Sequence, residues 1–99
     1  MRSLTEMVEI SYDEENKQQV LKEIGKRIAE IRKKNNITAE KLADRCNVSY
    51  SCIYSTEKGK TNISITNLIM ICLALGCNLD VIIPPELYDP DLKNTDNLK

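Results

Sequence analysis

Ninety-nine residues with 41% hydrophobic and 29% charged side chains fit one small globular domain with tails, and exclude a second independent core. No apolar run approaches the length of a membrane span, and the start, Met1 to Glu6, turns acidic without the apolar stretch of a signal peptide, so a cytoplasmic location with no membrane partner is expected. The formal net charge is only -1, but it is unevenly spread. Residues 1–16 carry one positive and five negative charges, residues 17–62 eleven and five, and residues 63–99 two and five. A basic middle between acidic ends can mark a nucleic-acid face; on charge alone a solvated helix surface around Lys33-Lys34 is the better explanation.

In chain order, residues 1–13 read as an extension, with a weak alternation over 7–12 that would suit a short strand. The first helix is expected between Glu14 and Asn35. Leu21, Ile24, Ile28 and Ile31 recur at helical spacing, Asp13 can cap the start, and Arg32-Lys33-Lys34 suit the negative end of the dipole before Asn35-Asn36 stop it. A short second helix follows, capped by Thr38, with Leu42, Ala43 and Cys46 on its apolar side and Asn47 ending it. Ser49 caps a third helix from about Tyr50 to Lys58, closed by Gly59. Ser64 caps a fourth that runs to Leu75 with Gly76 as terminator. Asn78 caps a last short helix, which Pro84-Pro85 stop. The domain thus spans residues 14–85, and residues 86–99 form a polar tail. The fold class is all-α, with five helices and a helix-short turn-helix at the second and third, an arrangement used by DNA readers.

At about 100° per residue, Ile53, Thr56 and Glu57 of the third helix cluster on one side, which must face inward. Ser51, Ser55 and Lys58 lie opposite, flanked by Tyr54, with Tyr50 at the helix start. Small hydroxyls, tyrosines and a lysine can approach a groove floor, where serines bond several base edges and tyrosine meets thymine methyls or phosphates. Small polar residues on an exposed helix are also ordinary surface, and the tyrosines could pack across the domain instead. The fourth helix is unusual. Leu68, Ile71, Cys72 and Leu75 make its inner face, yet the opposite face reads Ile69, Met70, Leu73 and Ala74. A domain this small cannot bury both faces, which points to a homodimer, or to residues 4–12 or the tail folding back.

Four cysteines without a Cys-x-x-Cys pair and no histidine make a metal site improbable, and no cofactor is expected. Most read as buried thiols; Cys52, on a helix flank, reads as an inert surface cysteine, with a redox switch as the minor alternative. No histidine, Gly-rich phosphate cradle or acid pair suggests catalysis.

Gly25 to Arg32, Ile37 to Ala43, Val48-Ser49, Ile53, Glu57-Lys58-Gly59, Leu68, Ile71, Ala74-Leu75-Gly76 and Leu79-Asp80 together resemble the Cro and phage-repressor-like helix-turn-helix family, often called XRE, over residues 22–83. The resemblance implies a compact five-helix, lambda-repressor-like domain that places its third helix in the DNA major groove. It puts Ser49, Tyr50, Ser51 and Ser55 at base-facing or groove-edge positions, and Thr38, Lys58 and Lys60 where the family meets phosphate. The DNA-facing surface then runs from Thr38 to Asn62 and includes Tyr54. Arg32 and Glu57 fall where several relatives form a partly buried ion pair. Two positions depart from the family: Ala39 stands where glutamine is usual and Ile63 where proline is common.

The positions of Met70, Leu73 and Val81 are usually polar in the family, so with Ile69 they form the expected dimer interface. A two-fold dimer would set two recognition helices about 34 Å apart on a palindromic site. The function implied is a sequence-specific transcriptional regulator, a repressor on a short palindrome in double-stranded DNA. An antitoxin or anti-repressor, working through a protein partner on the same fold, is the alternative; a cysteine-based metal or redox sensor has least support.

Overall fold

The computed structural model describes residues 14–89; the expected strand at 7–12, the Asp13 cap and the tail beyond residue 89 lie outside this range. Five α-helices follow in order: α1 (Glu14–Lys34), α2 (Ala39–Cys46), α3 (Tyr50–Glu57), α4 (Ile65–Leu75) and α5 (Leu79–Ile82). A 3-10 turn, Pro85–Leu87, comes after α5, and no strand occurs among the described residues.

Three of the four connections are built alike. Asn36, Asn47 and Gly76 take the left-handed conformation, with φ of 58°, 55° and 67°. The next N–H then donates to a carbonyl five residues back: Ile37 to Arg32, Val48 to Ala43, and Cys77 to Cys72, at 3.0–3.1 Å. This is the Schellman ending, which satisfies the last carbonyls of a helix. Ile37, Val48 and Cys77 all pack against the core. One residue later stands the next N-cap: Thr38, Ser49 or Asn78. The hydroxyls of Thr38 and Ser49 accept N–H bonds from Lys41 and Cys52, both at 3.1 Å, whereas the Asn78 side chain makes no capping bond. Each three-residue link therefore ends one helix, buries an apolar side chain and starts the next helix at a fixed angle.

The core draws one fully buried aliphatic side chain from every helix: Ile28, Leu42, Ile53, Ile71 and Ile82. Each contributes roughly 1.5–3 kcal/mol relative to exposure. Around them lie Ile24, Ala43, Cys46, Leu68, Cys72 and Leu75, so the apolar sides expected for α2 and α4 are the ones that pack inward. On α1 the stripe that meets the core is Val20, Ile24, Ile28 and Ile31; Leu21 is half-buried and outside this cluster. Leu87 of the 3-10 turn also packs on the core, and Glu86 lies 3.8 Å from Arg27. α1 packs against α3 and α5, α2 against α3 and α4, and α4 against α5.

Candidate nucleic-acid interface

The position of α3 is fixed from below by α1. Gly25 sits under the last turn of α3: a Cβ there would lie 2.6 Å from the Glu57 carbonyl oxygen and closer still to that of Thr56. Just past the helix, Gly59 adopts φ 71° against the Lys22 backbone, where a Cβ would come within 2.7 Å of the Lys22 Cα. Only glycine meets both demands at that position. Ile53 and Thr56 face inward, and the Thr56 hydroxyl donates to the Cys52 carbonyl at 2.7 Å.

Arg32 ties the three elements together. Its Nε donates to Glu57 Oε2 at 2.7 Å and its Nη2 to Glu57 Oε1 at 3.0 Å, a bidentate pair with both side chains 11% exposed. Its Nη1 donates to the Ile37 carbonyl at 2.9 Å, in the link between α1 and α2. The hydrogen bond to Glu57 raises the Arg32 pKa above its ordinary value, against the opposing effect of burial. One guanidinium thus fastens the end of α1, the start of the helix pair and the last residue of α3.

The outer side of α3 is exposed. Tyr50, Ser51 and Tyr54 face solvent and Ser55 is half-buried. The rings of Tyr50 and Tyr54 lie 6.3 Å apart and tilted by 31°. Lys58 and Lys60 bring their ammonium groups over the Tyr54 ring, at 5.7 and 5.8 Å from its centre. Lys60 owes its place to backbone geometry. Its N–H donates to the Ser55 carbonyl at 2.9 Å after the left-handed Gly59, the position that Ile37, Val48 and Cys77 fill at the other helix ends. Here a lysine replaces the apolar residue and stays exposed. The Ser49 and Ser51 hydroxyls are paired at 3.1 Å at the head of α3. Thr38 and Asn62 are exposed, at the start of α2 and in the loop before α4.

Of the residues singled out from sequence, the structure therefore gathers Tyr50, Ser51, Tyr54, Ser55, Lys58 and Lys60 on one face, and pairs Arg32 with Glu57. At the two departures from the family pattern, Ala39 and Ile63 are partly buried and pack against the core. Sequence reasoning missed the seat made by Gly25 and Gly59 and the third Arg32 bond. A glycine inside the strong helical pattern of α1 was the available signal for the seat.

Cys52 is half-buried. Burial, aided by the neighbouring Cys77 thiol, pushes the Cys72 thiol up to about 11, and burial also raises Cys46. Among the described residues no cluster of Cys, Asp and Glu could hold a metal ion, and no helix is long and apolar enough to cross a membrane.

A family model described as helix-turn-helix matches residues 28–82, more than half the chain. The immunity repressor protein of Bacillus phage phi105 is 33% identical over 63 residues, which are 64% of this chain and 44% of that repressor; the chain thus spans less than half of that relative. The control protein C.BamHI of Bacillus amyloliquefaciens is 35% identical over 66 residues, covering 66% of this chain and 75% of that protein. Among solved structures, the restriction-modification controller protein C.AhdI from Aeromonas hydrophila is similar with a TM-score of 0.61 and 26% identity, over 63% of this chain and 94% of that one. The clp gene regulator ClgR from C. glutamicum matches with a TM-score of 0.61 and 28% identity, over 65% and 84% of the two chains. The helix pair α2–α3, its anchoring to α1 and these likenesses agree: the chain belongs to the XRE-type helix-turn-helix family of DNA-binding transcriptional regulators.

Proposed function

We propose that this chain is a cytoplasmic, sequence-specific repressor that binds a short palindrome in double-stranded DNA as a homodimer. The observation that carries the reading is the outer face of α3, where exposed Tyr50, Ser51 and Tyr54 and half-buried Ser55 run towards two lysine ammoniums held at its C-terminal end. With α3 in the major groove, Ser49, Tyr50, Ser51, Tyr54 and Ser55 meet base edges or the groove wall. Lys58, Lys60 and Asn62 lie where they reach phosphates. The Thr38 hydroxyl accepts the Lys41 N–H and keeps its own proton to donate to a phosphate oxygen. The dimer surface is the outer side of α4 and α5, where Ile69, Met70, Leu73 and Val81 are all 42–70% exposed. Unpartnered apolar surface of this kind on a small domain favours association. Repression is favoured by the likeness to a phage immunity repressor.

Selection of bound duplexes from a random pool, followed by binding assays across a salt series, tests the reading. An enriched palindrome whose affinity falls steeply with salt is expected. Lys58→Ala or Lys60→Ala should reduce the slope of log affinity against log salt by about 1 without changing the preferred sequence. Equal binding of selected and random DNA at every salt concentration would overturn sequence-specific repression. It would favour an antitoxin or anti-repressor that uses the apolar face for a protein partner.

A further inference from the structure

Resting on that reading, and deepening it, we infer that the recognition helix reads thymine C5-methyl groups rather than purine edges. Strong purine readout uses the guanidinium of Arg or the ammonium of Lys on guanine, or the amide of Asn or Gln on adenine; cytosine is read by carboxylates. On the exposed side of α3 the one such group is Lys58, at the C-cap. The other outward positions are Tyr50, Ser51, Tyr54 and Ser55, and Glu57, the helix's one acidic residue, is consumed by Arg32. The amides nearest in sequence, Asn47 and Asn62, lie off the helix, in the turn before it and the loop after it.

The lysines are also poorly placed for base edges. Recognition helices meet bases with their N-terminal residues, whereas Lys58 is the C-cap of α3 and Lys60 lies beyond it. Both ammoniums sit over the Tyr54 ring, which holds the charge at the far end of the helix, where phosphates run. The hydroxyls of Ser49 and Ser51 are paired with each other and Ser49 also accepts the Cys52 N–H, which leaves one free proton between them for a base edge or phosphate and no bidentate purine contact. That leaves two aromatic rings 6.3 Å apart, Tyr50 at the first residue of α3 and Tyr54 one turn on, flanked by a small serine. The faces of these rings are apolar, and beside a small serine they can approach closely. The one apolar feature on the major-groove floor is the methyl group of thymine. Tyr50 and Tyr54 are the specificity-determining residues, and each half-site carries thymines beneath them.

The experiment uses the duplex selected by this chain from a random pool, with deoxyuridine replacing thymidine at one position at a time, which deletes only the methyl. Affinity should fall about fourfold for each contacted methyl removed, the loss expected for one buried carbon. Thymines outside the half-sites should be silent. The Tyr50→Ala/Tyr54→Ala chain should lose the discrimination between thymidine and deoxyuridine, while Tyr54→Phe, which keeps the ring, should retain it. An enriched duplex that tolerates deoxyuridine throughout both half-sites, or one that weakens instead on 7-deazaguanine substitution, overturns this inference and leaves the repressor reading intact. Failure to enrich any duplex overturns both.

Discussion

The Arg32–Glu57 pair is the most consequential single contact for the helix that carries the interface. Replacing Arg32 with Met keeps the stem and removes two charge-assisted bonds to Glu57 and one to the Ile37 carbonyl. Both side chains are 11% exposed, and removing one partner of such a pair costs about 3–5 kcal/mol in all, because it leaves the other charge nearly buried and uncompensated. Small domains have stabilities of roughly 5–15 kcal/mol, so the variant should lie near the folding threshold and is best measured in a stabilising osmolyte. Glu57→Gln should cost nearly as much, because it strands the guanidinium. The Arg32→Met/Glu57→Gln chain strands neither charge, and should be less destabilised than the two single losses predict, by about 2 kcal/mol or more. Urea unfolding followed by circular dichroism gives all four corners of the cycle. A coupling below about 0.5 kcal/mol, the scatter of independent sites, would refute the pair as the clamp on α3.

Gly25→Ala should destabilise by about 1–3 kcal/mol despite the better helix propensity of alanine, because the atoms it meets are backbone carbonyls of α3; equal or higher stability in urea would show the seat is not tight. Met70→Lys/Leu73→Lys should convert a dimer into a folded monomer by sedimentation at micromolar concentration. A monomeric parent chain, or a variant that remains dimeric, would refute the interface. The Cys72 thiol, pushed up to about 11, holds its proton between pH ~9 and ~11, where the unfolded chain has lost its own. Its contribution, about 2–3 kcal/mol, is therefore complete below pH ~9 and declines as pH rises through about 11. Under reducing conditions Cys72→Ala should lose correspondingly less stability than the parent over that window; parallel pH profiles would refute the assignment.

Most helix boundaries were legible because each is written twice, once as an apolar period and once as a cap. Thr38, Ser49 and Ser64 accept the N–H bonds their positions imply, and Asn47 and Gly76 take the left-handed ends expected of them. The apolar excess on α4 was legible for a related reason: a face with Ile69, Met70 and Leu73 contradicts the period of a surface helix, and the structure leaves all three exposed. Where two readings of one pattern differed by a single residue, tertiary packing decided. Val20 and Leu21 are neighbours on α1, and only the former meets the core. Period alone could not separate them, since both lie within the width of the stripe.

The interface was less legible, because its geometry depends on backbone rather than on side-chain type. Reading caps one at a time did not reveal that Asn36-Ile37-Thr38, Asn47-Val48-Ser49 and Gly76-Cys77-Asn78 are one recurrent link. Gly59-Lys60-Thr61 begins the same way and then departs from it. At the other three ends the residue after the left-handed position is apolar and turns into the core, whereas Lys60 remains at the surface with its ammonium over Tyr54. A buried lysine there would need a partner or would have to lose its charge. Substituting a lysine at that point therefore opens the link between α3 and α4 and delivers a cation to the outer face of α3. The same residue that breaks the structural pattern supplies the charge, which is why a chain of net charge -1 can still present a basic edge beside its tyrosines.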